Sequence, residues 1–180
     1  MNNNTFNESI TKSIEGFHLP RYEEIPNVGL YLDQTAKYIN EYLTLFPDLE
    51  MTPSMISNYV KKGMIPRSVK KLYYRDQIAY LIFIAVTKTV LSMDNIRILF
   101  QMQQQSYSAE VAYEYFRQEL NHIMNQVFHM ENSISGEDSG LSQVKLMLKN
   151  TIIAVAHKLY LDKAFAMSAL IQQSFEGVSE

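Results

Sequence analysis

Residues Met51–Arg75 read MTPSMISNYVKKGMIPRSVKKLYYR. This stretch holds six basic side chains, Lys61, Lys62, Arg67, Lys70, Lys71 and Arg75, and no acidic one. The whole chain carries 16 Lys and Arg against 19 Asp and Glu, so outside the stretch acids outnumber bases by 19 to 10. A positive island in an acidic chain creates a local field that attracts polyanions whatever the net charge.

The first half of the stretch spells a short helix. Thr52 is an N-cap residue, and Pro53 sits at the first helical position, where its missing N–H costs nothing. Met55, Ile56, Tyr59 and Val60 form an apolar stripe, while Ser54, Ser57, Asn58, Lys61 and Lys62 lie opposite. Gly63 suits a left-handed C-terminal cap, and Pro66 prevents the helix from resuming. A basic end that holds phosphates, beside Ser and Asn that reach base edges, describes a recognition helix. Met64-Ile65 and Leu72-Tyr73-Tyr74 are short strand candidates joined by the basic connection PRSVKK. They are expected to pair as a small β-hairpin, or wing. Strand alternation points Tyr73 inward and leaves Tyr74 free to meet phosphates.

Working outward, Leu32, Ala36, Ile39 and Leu43 recur at helical spacing and predict a helix that Phe46-Pro47-Asp48 ends. Before it, Phe17, Leu19, Tyr22 and Ile25 alternate with Pro20 and Pro26 and predict an extended arm lying on the body. After the wing, Asp76 to about Leu91 is apolar on nearly all sides and should form a central, buried helix. Ser92 caps a further helix with Ile96, Leu99 and Phe100 inside, and Gln101–Ser108 reads as a polar exit. From Ala109 the seam Ala109, Ala112, Phe116, Leu120, Ile123, Val127 and Met130 has coiled-coil-like spacing. That seam serves either a dimer or the helix expected after Leu141, where Val144, Leu148, Ile152, Val155 and Leu159 align. Residues 132–140, NSISGEDSG, read as a linker.

The residues Thr52 to Leu81 resemble the winged helix-turn-helix of MerR-type bacterial regulators. The matching signature is TPSMISNYVKKGMIP, a short basic wing ending in LYY, then DQIAYL. The wider stretch RYEEIPNVGLYLDQT is more specifically similar to the uncharacterised YkrK-like bacterial proteins, a domain of unknown function with a MerR-like fold. The resemblance implies a mainly α chain in three parts. They are a tail and arm over 1–29, a MerR-like winged helix-turn-helix over 30–105, and an all-helical dimerisation or regulatory region over 106–180. It implies a transcriptional regulator on double-stranded DNA, with Thr52, Ser54, Ser57, Asn58, Lys61, Lys62, Arg67, Lys70, Lys71, Tyr73, Tyr74 and Arg75 at the interface. MerR-type helices usually carry Arg where Ser54 and Ser57 stand. The alternative reading is therefore a protein-interaction module that keeps the winged helix without sequence-specific DNA binding. A homodimer is expected, because one short helix reads few bases, with half-sites about 34–36 Å or a multiple apart.

Other classes are disfavoured. The absence of Cys removes thiolate metal sites and thiol nucleophiles. No Gly-rich phosphate loop or G-x-S-x-G occurs, so no enzyme and no cofactor are expected. His122, His129 and His157 read as surface histidines rather than metal ligands. The ten Met and the many Tyr read as core, with a small-molecule effector pocket in the C-terminal region as the alternative. The N-terminus lacks the apolar core of a signal peptide, and Ile78–Val86 is far shorter than the ~20 residues of a membrane span. A cytoplasmic protein without membrane contact is expected.

Overall fold

The computed structural model describes Lys12 and residues 14–129, with side chains at 102, 106, 119, 122, 123 and 125–129 outside the description. The described chain is mainly helical with one two-stranded antiparallel sheet. In order it runs through a 3-10 turn Tyr22–Glu24, β1 Leu30–Tyr31, α1 Leu32–Leu43, a 3-10 turn Pro47–Leu49 and α2 Pro53–Lys61. It continues with β2 Leu72–Tyr73, α3 Arg75–Thr87, α4 Met93–Ser106 and α5 Ala109–His129.

The apolar periodicities become one core. Ile39 of α1, Ile56 of α2, Ile78, Leu81, Ile82 and Ile84 of α3 and Ile96 of α4 are all fully buried. Helix α3 is buried over most of its circumference, as its composition requires, and the other elements pack around it. The arm lies on the body: Leu19 and Ile25 are buried in the same cluster.

Side chains acting on backbone set the helix starts. The Thr52 hydroxyl accepts the Met55 N–H at 3.2 Å, and the Ser92 hydroxyl accepts the Asn95 N–H at 3.1 Å. Gln34 and Gln77 reach back to accept the N–H groups of Tyr31 and Tyr74, both at 2.9 Å. Each satisfies a donor that a helix leaves without an internal partner. Helix α2 ends in a full left-handed cap. Gly63 has φ +69°, its N–H donates to Val60 O at 3.0 Å, and the Met64 N–H donates to Tyr59 O at 2.9 Å.

The wing differs from the expected hairpin. Met64 and Ile65 do not pair with Leu72–Tyr74; β2 pairs antiparallel with β1, Leu30 opposite Tyr73 and Tyr31 opposite Leu72. The reason lies in the side chains. Met64 and Ile65 are consecutive and both buried, which does not fit a wing strand with one face in solvent. Met64 also spends its N–H on the α2 cap, and Pro66 has none. The true hairpin is smaller, a single bridge between Val69 and Leu72 closed by Lys70-Lys71. Tyr74 is the residue before α3, not a strand residue. Gly29 allows the β1–β2 approach, since a Cβ there would stand 2.6 Å from Leu72 Cβ.

Two boundaries also move. Helix α3 stops at Thr87 and leaves a turn to Leu91, whereas α4 continues through the expected polar exit to Ser106. The first half of the expected seam packs within the chain: Phe116 stacks edge-on against Phe83 of α3, ring centroids 4.8 Å apart. Residues 1–11, the later seam side chains Ile123, Val127 and Met130, the linker 132–140 and the region after Leu141 lie outside the described residues. Among the described residues no helix is long and apolar enough to cross a membrane.

Candidate nucleic-acid interface

Helix α2 buries Ile56 and Tyr59 and turns its opposite side to solvent. Ser54, Ser57, Asn58 and Lys61 are all exposed. Their i, i+3, i+4, i+7 spacing puts them in one row along the helix. Lys62 follows at the C-terminal end, also exposed. Thr52 is half-buried, and its hydroxyl is spent on the cap.

The start of α2 is held by a contact that sequence reasoning missed. Asn40 of α1 pairs with the backbone of Met51 as a strand would: its amide donates to Met51 O at 2.9 Å, and its carbonyl accepts the Met51 N–H at 2.9 Å. A polar residue beside the apolar stripe of α1 was the available signal. Two bonds from one amide fix both position and direction of the chain entering α2.

The wing is clamped by Gln77, a buried polar residue on the otherwise apolar α3. Its amide nitrogen donates to Pro66 O at 3.0 Å and Arg67 O at 3.1 Å, while its oxygen takes the Tyr74 N–H. One side chain thus joins the segment entering the wing to the segment leaving it. At the tip, Val69 and Leu72 exchange both backbone hydrogen bonds at 3.0 and 2.9 Å. Between them Lys70 has φ +53° and Lys71 φ +67°. This is the two-residue turn that usually carries Asn-Gly, because both positions are left-handed. Here both are exposed lysines.

The basic residues divide into two groups. Lys61, Lys62, Arg67, Lys70 and Lys71 are exposed, and none belongs to an ion pair among the described residues. Arg75 is different. Its guanidinium is half-buried, donates to Ile25 O at 2.7 Å and Glu23 O at 3.1 Å, and lies over the Tyr22 ring. It anchors the arm. Tyr73 is buried and packs inward, as its strand position required, while Tyr74 keeps about a third of its surface exposed. Arg97 of α4 joins the neighbourhood: it donates to Lys62 O at 3.4 Å and pairs with exposed Asp94. No short-range pattern in the sequence linked it to α2.

The arm ties the wing base to α5. The Tyr22 N–H donates to Glu114 at 2.6 Å, its hydroxyl bonds Asp76, and the Tyr113 hydroxyl donates to Pro20 O at 2.9 Å. Burial, then the bond to Asp76, pushes the Tyr22 phenol well above its usual range, and burial does the same to Tyr113. Both therefore remain neutral donors. Burial works against the Glu114 carboxylate, but the Arg117 hydrogen bond and the Tyr22 N–H together hold its pKa below the ordinary carboxylate value.

These features define a mainly helical domain with a capped, solvent-facing helix followed by a short basic wing. The chain belongs to the family described as a domain of unknown function, DUF1836, whose model matches residues 20–116. The matched stretch opens at Pro20, whose carbonyl takes the Tyr113 hydroxyl, and closes three residues after Tyr113. Comparisons with curated proteins and with solved structures give no match.

Proposed function

We propose that this protein is a double-stranded-DNA-binding transcriptional regulator of the MerR-like winged helix-turn-helix type, acting as a homodimer. The observation that carries the reading is the row Ser54, Ser57, Asn58 and Lys61, exposed on one side of α2 and followed by four more exposed cations within ten residues. Lys61, Lys62, Arg67, Lys70 and Lys71 hold phosphates, while Ser54, Ser57 and Asn58 face base edges. Arg75 and Tyr73 support this surface from within, and Arg97 extends it.

The test is selection of bound fragments from random duplex DNA, followed by anisotropy on the enriched sequence. An inverted repeat should emerge, and Lys61→Glu with Lys62→Glu should abolish binding while circular dichroism stays unchanged. Absence of enrichment would refute the proposal.

A second reading rests on a different observation. Tyr31, Leu72 and Val69 are consecutive cross-strand partners, so their side chains share one face. Tyr31 and Val69 are more than half exposed. An apolar row at the wing favours a protein-interaction module. That module predicts DNA binding that is weak, blind to sequence and no stronger than heparin binding.

A further inference from the structure

A cavity of about 790 Å³ opens where α3, α4 and the first turns of α5 converge. That size falls within the ~300–1,000 Å³ typical of small-molecule sites. Seven of its lining residues are aromatic, and none is charged. One wall is a chain of rings in edge-on and tilted contact: Tyr80 with Phe100 at 4.8 Å, Phe100 with Phe83 at 5.4 Å, and Phe83 with Phe116 at 4.8 Å. Each ring is fixed by its neighbour, so the wall is formed in advance of any occupant. The polar handle is Gln103, whose oxygen accepts the Tyr80 hydroxyl at 3.0 Å and whose nitrogen donates to Tyr107 O at 2.6 Å. Tyr107, Val111 and Tyr115 are 62, 54 and 67% exposed at the rim.

We propose that this cavity binds an uncharged aromatic molecule. Aromatic rings pack against the faces and edges of the Tyr80–Phe116 wall, and a single hydrogen-bond donor meets the Gln103 oxygen beside the Tyr80 hydroxyl. A charged ligand would lose its hydration with no opposite charge in the walls to replace it. The site straddles the expected domain boundary at residue 105, with α3 and α4 on one side and the start of the C-terminal region on the other. It also has a physical route to the wing. Tyr113 lines the cavity and holds Pro20 of the arm, and the arm holds Arg75 two residues after β2. Any effect on DNA binding rests on the function proposed above; the binding itself does not.

The test uses the intact chain and the neutral two-ring-system fluorophore N-phenyl-1-naphthylamine, without DNA, so its failure is distinct from failure of the DNA reading. Saturable one-to-one binding is expected. Ala112→Trp, which fills the cavity from α5, should weaken it by about tenfold or more, and the sulfonated anionic analogue should bind the parent about tenfold more weakly. If Ala112→Trp loses helical circular dichroism, Ala109→Phe at the start of α5 replaces it with the same expectation. Lack of saturable binding, the outcome if residues 130–180 or a second copy cover the rings, overturns the proposal. So does binding that the filling variant leaves unchanged. Equal binding of the anionic analogue overturns the assignment of a neutral ligand.

Discussion

Replacing Lys70-Lys71 by Asn-Gly should stabilise the protein and weaken the proposed DNA binding. Both lysines are left-handed, at φ +53° and +67°. A left-handed residue with a Cβ costs roughly 1–2 kcal/mol. Asn tolerates that region better and Gly freely, but Gly gives back about 0.5–1 kcal/mol of chain entropy. The net gain is about 1–2 kcal/mol. For a chain of this size that corresponds to a rise in melting temperature of about 2–8 °C. The same change removes two cations from the proposed interface. With roughly 0.9 counterions released per phosphate, the log–log salt slope should become shallower by about 1.8, and affinity at 0.15 M salt should fall roughly thirtyfold. Thermal unfolding and anisotropy titrations at several salt concentrations read the two effects separately. A lower melting temperature would refute the strain argument. An unchanged salt slope would remove the wing from the interface.

Three further predictions concern the scaffold. Asn40→Ala removes both bonds to Met51 and should cost about 2 kcal/mol in urea unfolding, because part-buried backbone groups lose their partners; a loss below a few tenths would contradict the clamp. Gly29→Ala would place a Cβ 2.6 Å from Leu72 Cβ, so β1 and β2 must part, and a cost of about 1–3 kcal/mol with weaker DNA binding is expected. The Glu114 carboxylate has a folded-state pKa below its ordinary 4.5, so its bond to the arm contributes fully above that pH and is lost as pH falls through the lower folded value. An NMR titration of the Tyr22 amide should show a midpoint below 4.5 that Glu114→Gln abolishes, whereas a midpoint above 4.5 would reverse the sign.

Local chemistry made much of this protein readable in advance. Helix α2 was bounded by Thr52, Pro53 and Gly63, each acting within one turn of itself. The exposed row from Ser54 to Lys61 followed from helical spacing, and the buried α3 from apolar residues on every side. Reading the wing as a longer hairpin failed, because pairing partners are not a local property. Leu72 and Tyr73 sit opposite residues some forty positions earlier, while Met64 and Ile65 are drawn into the core.

The sequence alone determined where the helices of the described domain start, which face is apolar and where positive charge concentrates, since these depend on residue type and spacing. Tertiary structure alone decided what each polar group is for. It separated Arg75, spent on the carbonyls of Glu23 and Ile25, from the five exposed cations of the same island. It gave Gln77 the wing and Asn40 the start of α2. It also brought the rings of three helices around one cavity. A hydrogen bond between distant segments leaves no period in the chain, because its geometry exists only once the core has set the helices against one another.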